Sequence, residues 1–326
     1  MIFITGATGL LGTEITKSLI IKGESIKILH RPDSNLSAFK SFGNKITFVE
    51  GDLSDTILLQ KELVNIDTVI HCAALVSFDK KDRKKLDSCN VQGTKNLVDA
   101  AVQNSVKKFI HLSSVAALGR TKKQAIISES QKWISSKLNS NYAVSKYLAE
   151  LEVWRGFEEG LNGFILNPSI VLGKGDWNKS SSTLFKLIYN QRKHYPEGHL
   201  NYVDLKDLRD ILVSLMESDV NHERFIINAG SISFKNLFEK ASLEFGFVGN
   251  RKLISTFWLK TIKTLIDISS LFTSTPRVLT KETLQSLSNP SKYDNSKIKK
   301  LLTFEFRTLD NTLKDVIPYY IKKNNL

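Results

Sequence analysis

The sequence predicts an α/β fold, a doubly wound parallel sheet followed by a smaller, mostly helical C-terminal region. Apolar runs bounded by turn residues alternate with helix-period segments through the first half, the pattern of βαβ units around a parallel sheet. After Pro168 that rhythm breaks, and later segments read as mostly helical. With 326 residues there is enough chain for one large domain, or a main domain with a smaller partner, and for a substantial core.

Taken in order, strands are expected near 2–5, 25–30, 46–50, 66–71, 107–112 and 163–167. Helices are expected at about 10–22, 54–62, 84–103 and 141–159, with turn signals such as Lys22-Gly23 and Gly51-Asp52 at the joints. Gly173, Gly175 and Ser180 to Ser182 mark a loop, and only short strand candidates follow, at 200–203 and 224–228. The expected division is 1–167 and 168–326, the second region interleaved with the first. No period of roughly 20–50 residues recurs, which argues against a solenoid or propeller.

Hydrophobic residues make up 41% of the chain and charged residues 24%, with six prolines, which excludes collagen-like, disulfide-scaffold and wholly disordered proteins. Cys72 and Cys89 have no metal-ligand spacing and form no disulfide framework, so no metal is expected and free thiols fit a reducing compartment. Met1 to Thr5 run straight into a glycine-rich segment without the basic and apolar stretches of a secretory signal. A cytoplasmic location is the expectation. The most apolar window, Leu253 to Phe272, contains Lys260, Lys263 and Asp267 and falls short of the roughly 20 nearly uncharged residues of a membrane span. It reads as an amphipathic helix serving core packing or a dimer contact ahead of a membrane surface.

The formal net charge is +13, and from Arg251 onward there are fourteen Lys and Arg against six Asp and Glu. Those lysines are scattered among apolar positions and form no arginine-rich stripe, so a solvated face is expected and no nucleic-acid partner. The run Asp79 to Lys85 reads as the solvated start of a helix, with a ligand-facing loop as the alternative.

Thr5-Gly6-Ala7-Thr8-Gly9-Leu10-Leu11-Gly12 follows an apolar strand directly and opens a helical segment carrying Ile15, Leu19 and Ile20. Gly6 permits a tight turn, Gly9 lets backbone approach a pyrophosphate, and Gly12 lets the helix pack close to the sheet. The helix N-terminus adds amide donors and a positive dipole end. Strand, turn and helix in this order predict a dinucleotide cradle of the Rossmann type, with Gly6, Thr8, Gly9, Leu10, Leu11 and Gly12 as candidate contacts.

The second strand ends at His30 and Arg31, where a dinucleotide with a bare ribose meets an Asp or Glu. A guanidinium there suits a 2′-phosphate, which a carboxylate would repel, so NADP(H) is predicted over NAD(H). The alternative is that Arg31 stacks on adenine or points to solvent. Asp52, in Gly51-Asp52-Leu53 after the third strand, either accepts the adenine amino hydrogens or caps the helix near Ser54; Leu53 joins it as a candidate contact. In His71-Cys72-Ala73-Ala74 the small Ala73 and Ala74 let backbone approach the ribose, and His71 reads as a buried packing residue.

Tyr142-Ala143-Val144-Ser145-Lys146 lies at the start of a strongly helical segment, and four residues make one turn, so phenol and ammonium share a face. A Lys cation beside Tyr142 is expected to favour phenolate and bring its pKa down from near 10. Ser113 and Ser114 follow the fifth strand at the same carboxyl edge, where a hydroxyl can hydrogen-bond a substrate carbonyl.

With the glycine turn at residue 5, the serine pair after strand five and YxxxK on the next helix, the chain resembles the extended short-chain dehydrogenase/reductase superfamily. The resemblance covers nearly the whole chain, most specifically 5–12, 111–119, 142–146 and 167–173. It implies a catalytic set of Ser114, Tyr142 and Lys146, with Ser113 as fallback and as a cofactor contact. Asn167-Pro168-Ser169-Ile170-Val171-Leu172-Gly173 looks like the family's stretch beside the nicotinamide, which brings in Pro168 and Ile170, and Tyr142 and Lys146 also serve the cofactor. Asn90-Val91-Gln92-Gly93-Thr94 looks like the helix supporting the active site. Tyr202-Val203-Asp204 with Asp207, and Tyr293 to Lys300, resemble recurrent substrate-side elements.

The stretches HRPDSN and NPSIVLG look most similar to the dihydroflavonol-reductase-like branch, often labelled epimerase/dehydratase. Nucleotide-sugar dehydratases carry acidic residues just after the catalytic hydroxyl, where Val115-Ala116 stand here. The implied activity is NADP(H)-dependent interconversion of a small-molecule carbonyl and alcohol, on a lipophilic substrate. A nucleotide-sugar epimerase retaining NAD and a non-catalytic dinucleotide-binding sensor are the alternatives. Homodimers are common in that superfamily, and no stable membrane insertion is expected.

Overall fold

The computed structural model describes residues 1–120, 126–190, 194–247, 251–254 and 291–325. Seven strands form one parallel sheet: β1 (Ile2–Thr5), β2 (Ile26–His30), β3 (Ile46–Glu50), β4 (Thr68–His71), β5 (Lys108–Leu112), β6 (Gly163–Pro168) and β7 (Glu223–Ile227). Their spatial order is β7-β6-β5-β4-β1-β2-β3, with every neighbouring pair parallel. The chain reverses its direction of travel across the sheet between β1 and β4, the switch point above which such sheets bind ligands.

Alternation along each strand feeds two cores. Ile2 and Ile4 of β1 and Ile110 of β5 pack with Ile15 and Leu19 of α1 (Leu10–Ile21), together with Leu208, Ile211 and Leu215 of the helix Leu205–Met216. Phe3 and Phe109 point the other way, against Leu59 of α2 (Thr56–Glu62), Leu97 and Val98 of α3 (83–103), and Val153 and Phe157 of α4 (Asn141–Glu158). A period of two along strands between two helical layers is what a doubly wound sheet requires.

Five of the strand expectations agree with the observed spans to within one residue, while β4 starts two residues later than the pattern suggested. The 224–228 candidate becomes β7, an edge strand of the main sheet, so chain from beyond residue 168 completes the first layer. The helix expected at 84–103 is α3, whose α-helical segments Arg83–Leu86 and Gly93–Gln103 are joined by a π-helical turn, Asp87–Gln92. Such a widened turn re-aims side chains within a continuing helix. The lysine run begins as read: Asp79 accepts from the Lys81 amide, and Lys80, Lys81, Lys84 and Lys85 stay exposed.

Beyond β6, Ile170–Leu172, His199–Asp204 and Gly230–Ser233 make a second, three-stranded sheet. A third core, including Phe185, Phe238, Leu313 and Tyr320, packs this region. Asp204 accepts from Lys206 N and Thr312 Oγ1, while Asp207 accepts from Arg307 N and Nε, so the two buried carboxylates tie the last helix of the chain to the sheet. Leu253 and Ile254 belong to a short strand, Lys252–Ile254, instead of a helix; the rest of the apolar window to Phe272 lies outside the described residues. Among the described residues, no helix is long and apolar enough to cross a membrane.

Candidate active site

At the end of β1 the chain turns through Gly6, whose φ of +69° is open to glycine and strained for other residues. A Cβ on Gly6 would stand 2.5 Å from the Ala73 amide nitrogen, and one on Gly12 would stand 2.2 Å from the Gly6 carbonyl oxygen. The chain's own backbone therefore excludes a side chain at both positions. Gly9 differs: an added Cβ would meet only the Gly6 oxygen, at 3.2 Å. It is exposed and is the N-cap of α1, with no capping side chain and no acid in the first turn. The amides opening α1 thus face outward with room above them, a cradle that fits a pyrophosphate.

The other candidate contacts line the same edge of the sheet. Arg31 is exposed just past β2, its Nε 3.6 Å from Asp33. Asp52 is exposed and accepts from Ser54 N and Oγ, which makes a local turn; the cap of α2 is Asp55, whose carboxylate takes the Leu58 amide. The capping alternative for Asp52 is corrected by that geometry, since the helix starts at Thr56. Leu53 turns its side chain into the core and gives its carbonyl to Asn96, so its side chain does not reach the cleft. Thr8 and Ala74 are exposed, Leu10, Leu11 and Ala73 partly so; Pro168 is buried in β6 while Ile170 just beyond it is exposed.

Below the cleft, His71 is fully buried and bonded at both ring nitrogens, Nδ1 to Thr5 Oγ1 at 2.7 Å and Nε2 to Thr94 Oγ1 at 2.9 Å. Thr94 spends its own hydrogen on Asn90 O, so Nε2 is the donor and Nδ1 accepts from Thr5. Burial pushes His71 down to about 3, and the Lys146 cation adds to this, so the ring is neutral. It packs as the sequence suggested. Its neighbour His111, with ring centroids 5.2 Å apart, has no hydrogen-bond partner on either nitrogen. Cys72 is held as a thiol, its pKa raised to about 12 by burial.

Ser140 caps α4 through the Ala143 amide, which fixes the register that aims Tyr142 and Lys146 along one face. The Lys146 ammonium is buried and donates to Leu112 O at 2.8 Å. Burial lowers its pKa to about 8, opposed chiefly by the Glu150 carboxylate. Ser114 takes the Ala116 amide on its oxygen, at 3.1 Å, which leaves its own hydrogen to point elsewhere, and its hydroxyl acts on the Tyr142 phenol to favour phenolate. Ser113 lies buried beneath, beside Glu150.

One expectation is overturned here. Lys146 does not bring the phenol down: burial pushes Tyr142 up to about 12, and the Ser114 hydroxyl opposes this only in part. A phenol in this state holds its proton throughout the neutral range.

Phe78 and Glu150 escaped the sequence reading, while Asn90 was read only as part of the helix supporting the active site. Phe78, on the extended segment after β4, packs edge-on against Tyr142 with centroids 5.8 Å apart, and Ala74, Val76 and Phe78 alternate outward with period two. Asn90, in the π turn, holds that segment by donating to Leu75 O and accepting from Leu75 N, and also donates to Ser145 Oγ. Glu150 sits one further turn along α4, and its spacing from Lys146 was the signal available for it. A cavity of about 790 Å³ opens on another face, lined by residues including Trp133 stacked on Tyr147, Trp154, Glu150 and Arg224; Ser114, Tyr142 and Lys146 are not in its lining.

A model of the NAD dependent epimerase/dehydratase family matches residues 2–227. A sterol demethylase protein B of Methylococcus capsulatus is 27% identical over 228 residues, 69% of this chain and 68% of that protein. A putative dihydroflavonol 4-reductase of Synechocystis is 30% identical over 208 residues, 63% of this chain and 60% of that protein. Among solved structures, gox2253 superposes with a TM-score of 0.83 at 27% identity, covering 100% of this chain and 99% of that one.

Proposed function

The chain belongs to the NAD dependent epimerase/dehydratase family, and from that premise we propose that it is an NADP(H)-dependent reductase acting on a lipophilic carbonyl compound, with Tyr142 as general acid. The observation that carries this reading is the arrangement at one edge of the sheet, where the partly exposed Tyr142 phenol stands one helical turn from the buried Lys146 ammonium, with Ser114 following β5 and the glycine turn opening α1. A protonated phenol is suited to give a proton to a developing alkoxide.

A reduced nicotinamide bound in the cleft supplies the hydride. For that cofactor the amides from Gly9 to Gly12 suit the pyrophosphate, Arg31 a 2′-phosphate, Asp52 the adenine amino group, and the backbone at Ala73 and Ala74 the ribose. Pro168 and Ile170 suit the nicotinamide side. Tyr142 gives its proton to the substrate oxygen, Ser114 donates a hydrogen bond to that same oxygen, and Lys146 stabilises the phenolate left behind. Lys146 must be charged to do so, and burial has lowered it to about 8, so kcat/KM is expected to fall as pH rises through about 8.

Exposed Val76, Phe78 and Ile170 support an apolar substrate, since large apolar side chains facing a cleft favour a ligand that covers them. The names of the two relatives, one a sterol protein and one a dihydroflavonol reductase, agree with this. The test is NADPH oxidation over a panel of carbonyl compounds, in wild type and Tyr142→Phe. The expected result is stoichiometric NADPH consumption that falls roughly 10²- to 10⁴-fold in the variant with cofactor affinity nearly intact. An unaffected rate rejects the role of Tyr142, and tightly retained NAD(H) with no net absorbance change marks an epimerase instead.

A further inference from the structure

We propose that Glu150 is a positioning residue for the whole catalytic set, holding Ser114 through Asn167 on one side and facing Lys146 on its own helix on the other. The inference rests on the reductase reading for its kinetic consequence, and on geometry for the rest.

Glu150 is only 1% exposed, yet both its oxygens are engaged. Oε1 accepts from Asn167 Nδ2 at 2.5 Å, and Oε2 faces Arg224 Nη1 at 3.3 Å. The same Asn167 amide donates its second hydrogen to the backbone oxygen of Ser114 at 3.0 Å. Two acceptors converge on one side-chain nitrogen, so the opposite amide orientation would set oxygen against oxygen, and the bridge has one sense only. It joins α4 to β6 and to the residue carrying the catalytic hydroxyl. Arg224, from β7, donates from Nε and Nη2 to Glu129 O and from Nη2 to Gln131 O, which fixes the guanidinium behind the carboxylate.

On the other side stands Lys146. The titratable groups whose charge bears on it are His71 and Cys72 from the end of β4, His111 from β5, Cys89 from the π turn, and Glu150 one turn along α4. The histidines are neutral and Cys72 is a thiol, which leaves Glu150, itself raised by burial and held down by Ser113, Arg224, Asn167 and Lys146, as the carboxyl whose charge opposes the cost of burying this ammonium. A helix row of Tyr142, Lys146 and Glu150 thus couples proton donor, cation and anchor at intervals of one turn.

Two quantities test this: the Lys146 titration midpoint, followed by NMR of 13C-labelled lysine in the protein without substrate, and kcat for NADPH-dependent reduction. In Glu150→Gln the midpoint is expected to fall by about one pH unit, the high-pH limb of kcat/KM moving with it. In Asn167→Ala, kcat is expected to fall roughly tenfold with the midpoint unmoved. An unmoved midpoint in a folded Glu150→Gln overturns the proposal, as does a kcat within about twofold of wild type in Asn167→Ala. Should Gln not be tolerated, Glu150→Asp keeps the charge and withdraws it by one methylene; a kept midpoint with lowered kcat supports the proposal, and an unchanged kcat overturns it. The NMR readout needs no turnover, so a wild type that oxidises no NADPH counts against the reductase reading while the Lys146 midpoint still decides the role of Glu150.

Discussion

The two walls of the cleft are built from different materials. The glycine turn at β1 and α1 is made of backbone: amides, a positive φ, and two positions where the chain itself leaves no space for a Cβ. The wall formed by β5 and α4 is made of side chains, with the buried Lys146, Glu150 and neutral His71 behind the half-buried Ser114 and Tyr142, set against one another by hydrogen bonds and charge. The first wall presents fixed dipoles that need no partner side chain. The second depends on every member being in place, because burial raises the cost of each unpaired group.

Breaking the second wall should have the larger effect on chemistry. Ser114→Ala removes the donor beside Tyr142 and is expected to lower kcat roughly 10²- to 10³-fold, measured in steady state, with about 1 kcal/mol of stability lost through the Ala116 amide. In the first wall, Gly12→Ala drives a methyl into the Gly6 carbonyl and is expected to cost about 3 kcal/mol in urea unfolding. Gly9→Ala has room in the free protein and should cost under about 1 kcal/mol while weakening NADPH binding in a fluorescence titration. The pair separates a glycine kept by the fold from one kept for the ligand.

His71 sharpens the contrast through pH. Its folded pKa of about 3 lies below the unfolded value of 6.5, so the native state binds the proton less well. Its contribution is fully present above pH 6.5 and is lost as pH falls toward 3, amounting to about 2 kcal/mol at pH 5. Asp207 runs in the opposite sense: burial raises it to about 6, so stability from this group grows as pH falls below 6 toward 4. Urea midpoints of wild type and His71→Gln between pH 7 and pH 4 should converge as pH falls, and parallel curves would refute the assignment. Arg31→Ala should raise the Kd for NADPH roughly tenfold and leave that for NADH unchanged.

Much of the first wall was legible in the sequence because its determinants are local. Gly6, Gly9 and Gly12 act within one strand, turn and helix, and the alternation in β1 to β6 reports directly on which face is buried. Phe78 was not read and the contacts of Asn90 were not, because both arise where the segment after β4 meets α3 and α4, and a π turn leaves no period in the sequence. The state of Tyr142 was misread for a related reason: a four-residue spacing brings Lys146 onto the same face, but says nothing of how far the fold removes the phenol from water.

The chain's own order of residues determined a parallel sheet, its switch point and the edge at which a glycine turn, a serine pair and a Tyr-Lys turn must emerge, since each follows from periods of two and of one helical turn. Only the folded molecule decided which proton each group keeps, which carboxylate stands behind Lys146, and that β7 returns from beyond residue 168 to bring Arg224 there. Protonation and pairing are set by desolvation and by neighbours distant in sequence, and those exist only once the layers have packed.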